Sequence, residues 1–226
     1  MTGMVSHLHA PTLRATGTVL LTGASGVVGA ALWPVLLERG FRVIALTRAN
    51  RVADPQVVNV TGDISEPDFG LDLSALALAY GPIDCVIHSA ALTHFGKSEA
   101  EMLATNVRGT QHAVAVAEAL GARFLYVSTA YTYDLKLPEY LQEYSTYCDS
   151  KRQAEAFVRA NASDWTIIRP SIVVGDSRTG AIARFQGLHT IVGAILQGFA
   201  PVIPAKQDAI VDLVPLRTHW PMPLQR

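Results

Sequence analysis

Along the 226 residues, apolar positions cluster in short runs separated by longer amphipathic stretches. The runs are Val19-Leu20-Leu21, Phe41 to Leu46, Val57 to Val60, Ile83 to His88, Arg123 to Val127 and Trp165 to Arg169. Runs this short, bounded by glycine or polar residues, read as strands of a buried sheet. Between them lie helical patterns: Ala30 to a glycine stop at Gly40, Asp72 to Tyr80, and Ser98 to Leu120. The last carries Met102, Val107, Ala113, Val114, Ala117 and Leu120 on one side. A further helix is expected from Tyr147 to Asn161, after an irregular stretch from Ala130 to Thr146. Strands alternating with helices predict an α/β fold, a doubly wound parallel sheet.

The chemistry starts where the first strand runs into Thr22-Gly23-Ala24-Ser25-Gly26-Val27-Val28-Gly29. Glycines at 23, 26 and 29 let a backbone come close to a pyrophosphate. The turn aims free N–H groups and the positive end of a helix at one point, so an anion is the preferred occupant and a dinucleotide the expected ligand. Glycines that merely pack a helix on a sheet are the competing reading. The complete strand, helix and second strand from Thr18 to Leu46 favour the ligand, and with it a Rossmann fold.

In such a sheet the carboxyl ends of the strands line the cleft. The second strand ends in Thr47-Arg48-Ala49-Asn50-Arg51, where an acid would hold an NAD ribose and an arginine would accept the 2′-phosphate of NADP. There is no acid, so NADP is favoured over NAD, although Arg48 and Arg51 also fit a solvated loop. Asp63 and Ile64 follow the third strand; Asp63 is placed either against an adenine or as a polar cap on the next helix. His88-Ser89-Ala90-Ala91 follows the fourth, with His88 read as a hydrogen-bonded strand end and Ala90 and Ala91 as room for a planar ring. Asn106, inside a helix, needs a reason to be there: a kink, a water near the site, or simple exposure. Ser128 and Thr129 end the fifth strand. Tyr147 and Lys151 are four apart, one helical turn over the other, where an ammonium would stabilise a phenolate and make the tyrosine a proton donor to a carbonyl oxygen.

Composition narrows the partners. A formal charge of -1 without a Lys/Arg cluster gives no support to nucleic-acid binding. Two cysteines, Cys85 and Cys148, are too few for a disulfide framework and have no metal-ligand spacing, so no metal is expected and a reducing cytoplasm fits best. Residues 1–16 lack an apolar core and read as a flexible tail, neither signal peptide nor membrane span. From Phe185 to Ala205 the chain carries no charge, but its glycines and prolines argue against a transmembrane segment. It reads as a substrate-covering helix with an apolar face, with interfacial membrane contact as the weaker alternative.

The ordered set TGASGVVG, TGDI, HSAA, TNVRGT, YVSTAY, YCDSK and RPSIVVGDSRTG, from about Thr18 to Pro215, resembles the extended short-chain dehydrogenase/reductases. The thioester reductase-like and fatty-acyl reductase-like branch is the most similar. The resemblance implies Tyr147 as general acid, Lys151 on the nicotinamide ribose, and Thr129 with Ser128 at the substrate oxygen. It also implies cofactor contacts from Gly23, Ser25, Gly26, Val27, Gly29, Arg48, Asp63, Ile64, Ala90, Ala91, Asn106 and Lys151. The expected division is a tail over 1–16, an NAD(P)-binding domain over 17–175 and a partial substrate-binding lid over 176–226. Beyond Pro215 the text departs from the family, so a truncated member with an incomplete substrate region is expected. The expected activity is NADPH-dependent reduction of an acyl thioester, aldehyde or ketone. An NAD-dependent sugar-nucleotide epimerase or dehydratase and a non-catalytic nucleotide-binding remnant are the alternatives. A homodimer through the two long helices is the expected assembly.

Overall fold

The computed structural model describes residues 17–93, 98–132, 142–185, 187–199 and 211–216. The tail over 1–16 and the segment after Leu216 lie outside the described residues. Six strands, β1 (Thr18–Thr22), β2 (Arg42–Thr47), β3 (Val57–Thr61), β4 (Cys85–His88), β5 (Arg123–Val127) and β6 (Trp165–Ile168), form one parallel sheet in the order β3-β2-β1-β4-β5-β6. The order reverses between β1 and β4, which is where a doubly wound sheet opens its crevice.

Period-two alternation sends successive side chains to opposite faces, and each face has its own core. Leu20, Ile44, Val86, Phe124 and Tyr126 pack with α2 (Leu73–Tyr80), α4 (Gly109–Leu120) and α5 (Gln142–Asn161). Val19, Leu21, Val43, Ala45 and Ile87 pack on the other face with Leu36 of α1 (Val27–Glu38). Both faces are covered, which explains why the strands read as nearly unbroken apolar runs.

Ser98 opens α3 (Glu99–Leu103) with a reciprocal cap: its hydroxyl accepts from the Glu101 amide, and the Glu101 carboxylate accepts from the Ser98 amide. A π-turn, Ala104–Arg108, then joins α3 to α4, so the helical pattern expected from Ser98 to Leu120 is continuous but wider in its middle. The helix expected from Tyr147 begins earlier, at Gln142, and so takes in the end of the stretch read as irregular. At the start of that stretch Ala130–Thr132 makes a 3-10 turn, while residues 133–141 lie outside the described residues.

Past β6 the chain forms β7 (Ile172–Val174), which pairs in parallel with β8 (Leu213–Pro215). The apolar helix expected from Phe185 to Ala205 is shorter: α6 spans Gly187–Leu196, and Gly198 follows at a φ of 78°. Residues 200–210 lie outside the described residues. Ile191, Leu196 and Phe199 are exposed, and α6 buries none of its residues. Among the described residues no helix is long and apolar enough to cross a membrane.

Gly23 combines a φ of 73° with a backbone neighbour; a Cβ there would lie 2.6 Å from the Ala90 nitrogen. Gly121 has a φ of 62° but nothing within 4 Å. Gly121→Ala is therefore expected to cost only the left-handed backbone, about 1–2 kcal/mol, and Gly23→Ala distinctly more. Urea unfolding of both variants checks the order; equal losses would contradict the close approach.

Candidate active site

The carboxyl ends of β1, β4 and β5 lie side by side, which brings Gly23, Ser89 and Ser128 to one edge. At β1 the Gly26 amide donates to the Gly23 carbonyl at 2.9 Å and closes the turn. A Cβ on Gly29 would collide with that same carbonyl, so the first turn of α1 rides directly on β1. No side chain caps the helix start at Gly26, and no acid lies in the first turn. Ser25 and Gly26 are exposed, whereas Val27 and Gly29 are buried. The result is a shallow cradle of backbone that suits an anion and that any side chain at 23 or 29 would fill.

Thr22 links this turn to β4. Its Oγ1 lies 2.8 Å from His88 Nδ1 and accepts from the Ala90 amide at 3.2 Å. His88 is wholly buried and stacked on Tyr126, and burial, with the Lys151 charge, lowers its pKa to about 3. It is a neutral strand-end residue, as the sequence reading had it. Ala90 and Ala91 are half-buried beside it.

Asn106, expected against the cofactor, is instead committed to protein groups and 1% exposed. Its Oδ1 accepts from the Leu92 amide at 2.7 Å, while Nδ2 donates to the Leu92 carbonyl and to Ser150 Oγ, each at 3.0 Å. Ser150 Oγ donates in turn to the Tyr147 carbonyl at 2.7 Å. The π-turn turns this amide toward Leu92 and Ser150, and Asn106 thereby ties the loop after β4 to the helix that carries Tyr147.

Thr129, just past β5, lies close enough to Tyr147 for its hydroxyl to act on the phenol. Burial pushes that phenol up to about 12, the neighbouring Cys148 adds to this, and the Thr129 hydroxyl pulls the other way. The pair therefore meets at the carboxyl edge, but the depressed phenol pKa expected from a stacked ammonium is absent. The reason is the position of Lys151: it is buried, donates from Nζ to the Val127 carbonyl at 3.0 Å and lies 4.7 Å over the Tyr126 ring. Burial lowers its own pKa to about 7 against the opposing pull of Glu155. The Ser128 hydroxyl, expected beside the substrate oxygen, donates to Glu155 Oε1 at 2.6 Å.

At the other end of the cleft Arg48 is exposed and pairs with Asp63 at 3.6 Å. Asp63 accepts from the Ser65 amide and hydroxyl; burial opposes, but these bonds and the Arg48 charge hold its carboxyl below the usual range. Asp63 thus closes a local turn at Ser65, whereas the next helix has Glu66, not Asp63, at its cap position. Ile64 packs against Gly109, and Arg51 is exposed. Glu155 and Arg169 were not singled out from the sequence. The available signal was that Glu155 lies one turn beyond Lys151 on the same helix face.

The sheet order, the glycine cradle and the crevice between β1 and β4 define a Rossmann-type dinucleotide-binding protein. The chain belongs to the NAD-binding family described as male sterility protein (NAD_binding_4), which matches residues 51–218, within the extended short-chain dehydrogenase/reductases. It is 30% identical over 194 residues to a ceramide reductase of Caulobacter vibrioides, covering 84% of this chain and 54% of the relative. It is 31% identical over 219 residues to a 3β-hydroxysteroid dehydrogenase/Δ5→4-isomerase of Mycobacterium tuberculosis, covering 87% of this chain and 56% of the relative. The terminal R domain of the myxalamid PKS-NRPS biosynthetic pathway has a similar structure, with a TM-score of 0.73 and 32% identity over 91% of this chain and 61% of that one. The chain thus spans about half the length of the two curated relatives.

His88 supplies a pH signature of the site's buried side. Its folded pKa, about 3, lies below the ordinary 6.5, so between these values the unfolded chain binds the extra proton and stability rises with pH. His88→Gln, which keeps a polar group for Thr22 but cannot titrate, is expected to flatten this slope by about 1.4 kcal/mol per pH unit at most. Urea unfolding at pH 4, 5 and 6 measures it; an unchanged slope would contradict a neutral buried histidine.

Proposed function

We propose that the chain is the catalytic, cofactor-binding part of an NADPH-dependent reductase acting on the carbonyl of an acyl thioester, aldehyde or ketone. The observation that carries this is the placing of Lys151, one turn from Tyr147, against the end of β5, where its Nζ donates to the Val127 carbonyl at 3.0 Å beside Ser128 and Thr129, on the same sheet edge as the glycine cradle. The reductases among the relatives favour the same direction of reaction.

When bound, the nicotinamide supplies a hydride to the carbonyl carbon. The chain's residues hold the substrate and manage the proton. Thr129 orients the carbonyl oxygen beside Tyr147, and Tyr147 gives its hydroxyl proton to that oxygen as the negative charge develops. A phenol kept protonated by burial is in the state a donor needs. Lys151, its pKa lowered to about 7 by burial and its position one turn from Tyr147, donates to the Val127 carbonyl and would hold the nicotinamide ribose. The backbone at Gly23, Gly26 and Gly29 receives the pyrophosphate. Arg48 and Arg51, with no acid between Thr47 and Arg51, favour the 2′-phosphate of NADP over the bare ribose of NAD. Residues 17–175 carry the cofactor in this reading and later segments contribute to the substrate side. A cytoplasmic homodimer is the assembly we infer.

Tyr147→Phe is expected to lower turnover about 10²- to 10⁴-fold and to leave NADPH affinity nearly intact. NADPH oxidation against a panel of acyl thioesters, aldehydes and ketones, with fluorescence titration of NADPH, measures both. Unchanged rates would defeat the assignment, and tightly copurified NAD would favour the epimerase chemistry.

A further inference from the structure

Glu155 is 4% exposed and gathers three elements around one carboxylate. Its Oε1 accepts from Ser128 Oγ at 2.6 Å, at the end of β5, and from Arg169 Nε at 2.8 Å, just past β6. Its Oε2 pairs with Arg169 Nη2, and with Arg159, one turn on in α5, at 3.6 Å. The backbone beneath repeats the clamp. The Ser128 amide donates to the Ile168 carbonyl at 2.7 Å and the Ala130 amide to the Pro170 carbonyl at 2.8 Å, so Thr129 is held between two anchored neighbours. Ser128 gives its hydroxyl to Glu155, and the adjacent Thr129 acts on the Tyr147 phenol.

We propose that Glu155 is a positioning residue: by holding Ser128 and Arg169 against α5 it fixes the Thr129 hydroxyl on Tyr147. The proposal rests on the reductase reading for its kinetic consequences, but not for its structural ones. A misplacement of about 1 Å at reacting groups can cost about 10²-fold in rate, and a carboxylate shared by two strands' ends and the catalytic helix is placed to prevent it. Ser128 acts only through this carboxylate. The same charge bears on Lys151, one turn before it. Lys151 is also faced by His88 of β4 and by Tyr126 of β5, and Glu155 itself by Arg159, Arg169, Ser128 and Tyr126. Burial opposes ionisation of Glu155, but the Arg169 and Ser128 bonds and the two guanidinium charges keep it ionised. It therefore supports the ammonium form of Lys151, and its loss moves the Lys151 titration downward.

The test uses the full chain with Glu155→Gln, Ser128→Ala and the double variant. Expected results are a turnover about 10- to 100-fold lower for Glu155→Gln, with KM and the NADPH dissociation constant little changed. Ser128→Ala should be milder and add nothing on the Glu155→Gln background, as residues acting through one path are not additive. NMR of protein labelled at lysine Cε should show the Lys151 titration moved to lower pH in Glu155→Gln and restored toward wild type in Glu155→Asp. Normal turnover in both single variants, or additive losses, would overturn the proposal. If wild-type protein reduces no carbonyl, the reductase reading fails, and the lysine titration alone decides the role: a midpoint unmoved by Glu155→Gln overturns it. If Glu155→Gln does not fold, Ser128→Ala decides instead, and unchanged turnover there overturns it.

Discussion

Two stretches of backbone meet at the top of β1 with no room for a side chain between them. Gly23 faces the Ala90 amide across one contact, and Gly29 faces the Gly23 carbonyl across another. A helix can begin that close to a strand only if two conditions hold together: a left-handed residue at the turn and a glycine in the helix's first turn. This packing leaves the helix start uncovered at the sheet's reversal point, and the anion-seeking character of the edge follows from it.

Tyr147 is tied to that edge by hydrogen bonds rather than by sequence proximity. Thr22 joins β1 to β4 through His88 and the Ala90 amide, Asn106 joins the loop after β4 to Ser150, and Ser150 holds the backbone of Tyr147. Every link is buried or half-buried, where an unmade polar bond is costly. The π-turn at Asn106 is the local distortion that lets a side chain within a helix serve a neighbouring loop.

The sheet and its connections were legible because local patterns encode them: apolar runs of strand length, a glycine turn, a glycine stop at Gly40. The capping pair Ser98 and Glu101 was equally local and was passed over. What escaped sequence reading depends on distant partners. Pairing of Ile172 with Leu213 needs chain separated by some forty residues to meet, and nothing at either position announces the other. Lys151 and Ser128 were expected to face the cofactor and the substrate oxygen, and their side chains bond Val127 and Glu155, because buried polar groups take the nearest strong partner. Asp63 was weighed between an adenine contact and a helix cap; one of its oxygens accepts from Ser65 and the other pairs with Arg48, partners that the sequence pattern did not announce. The apolar run after Phe185 suggested a long helix, but Gly198 ends it, and periodicity alone does not fix what such a face covers.

One central claim unites these features: the nucleotide lies over the glycine cradle with its reactive ring at the Thr129–Tyr147 pair. A crystal structure of the protein with NADPH tests it most directly. The account predicts pyrophosphate on the amides that follow Gly23 and the nicotinamide against Tyr147. A nucleotide seated elsewhere, or one whose ring lies on the opposite face of the sheet from Tyr147, would contradict it.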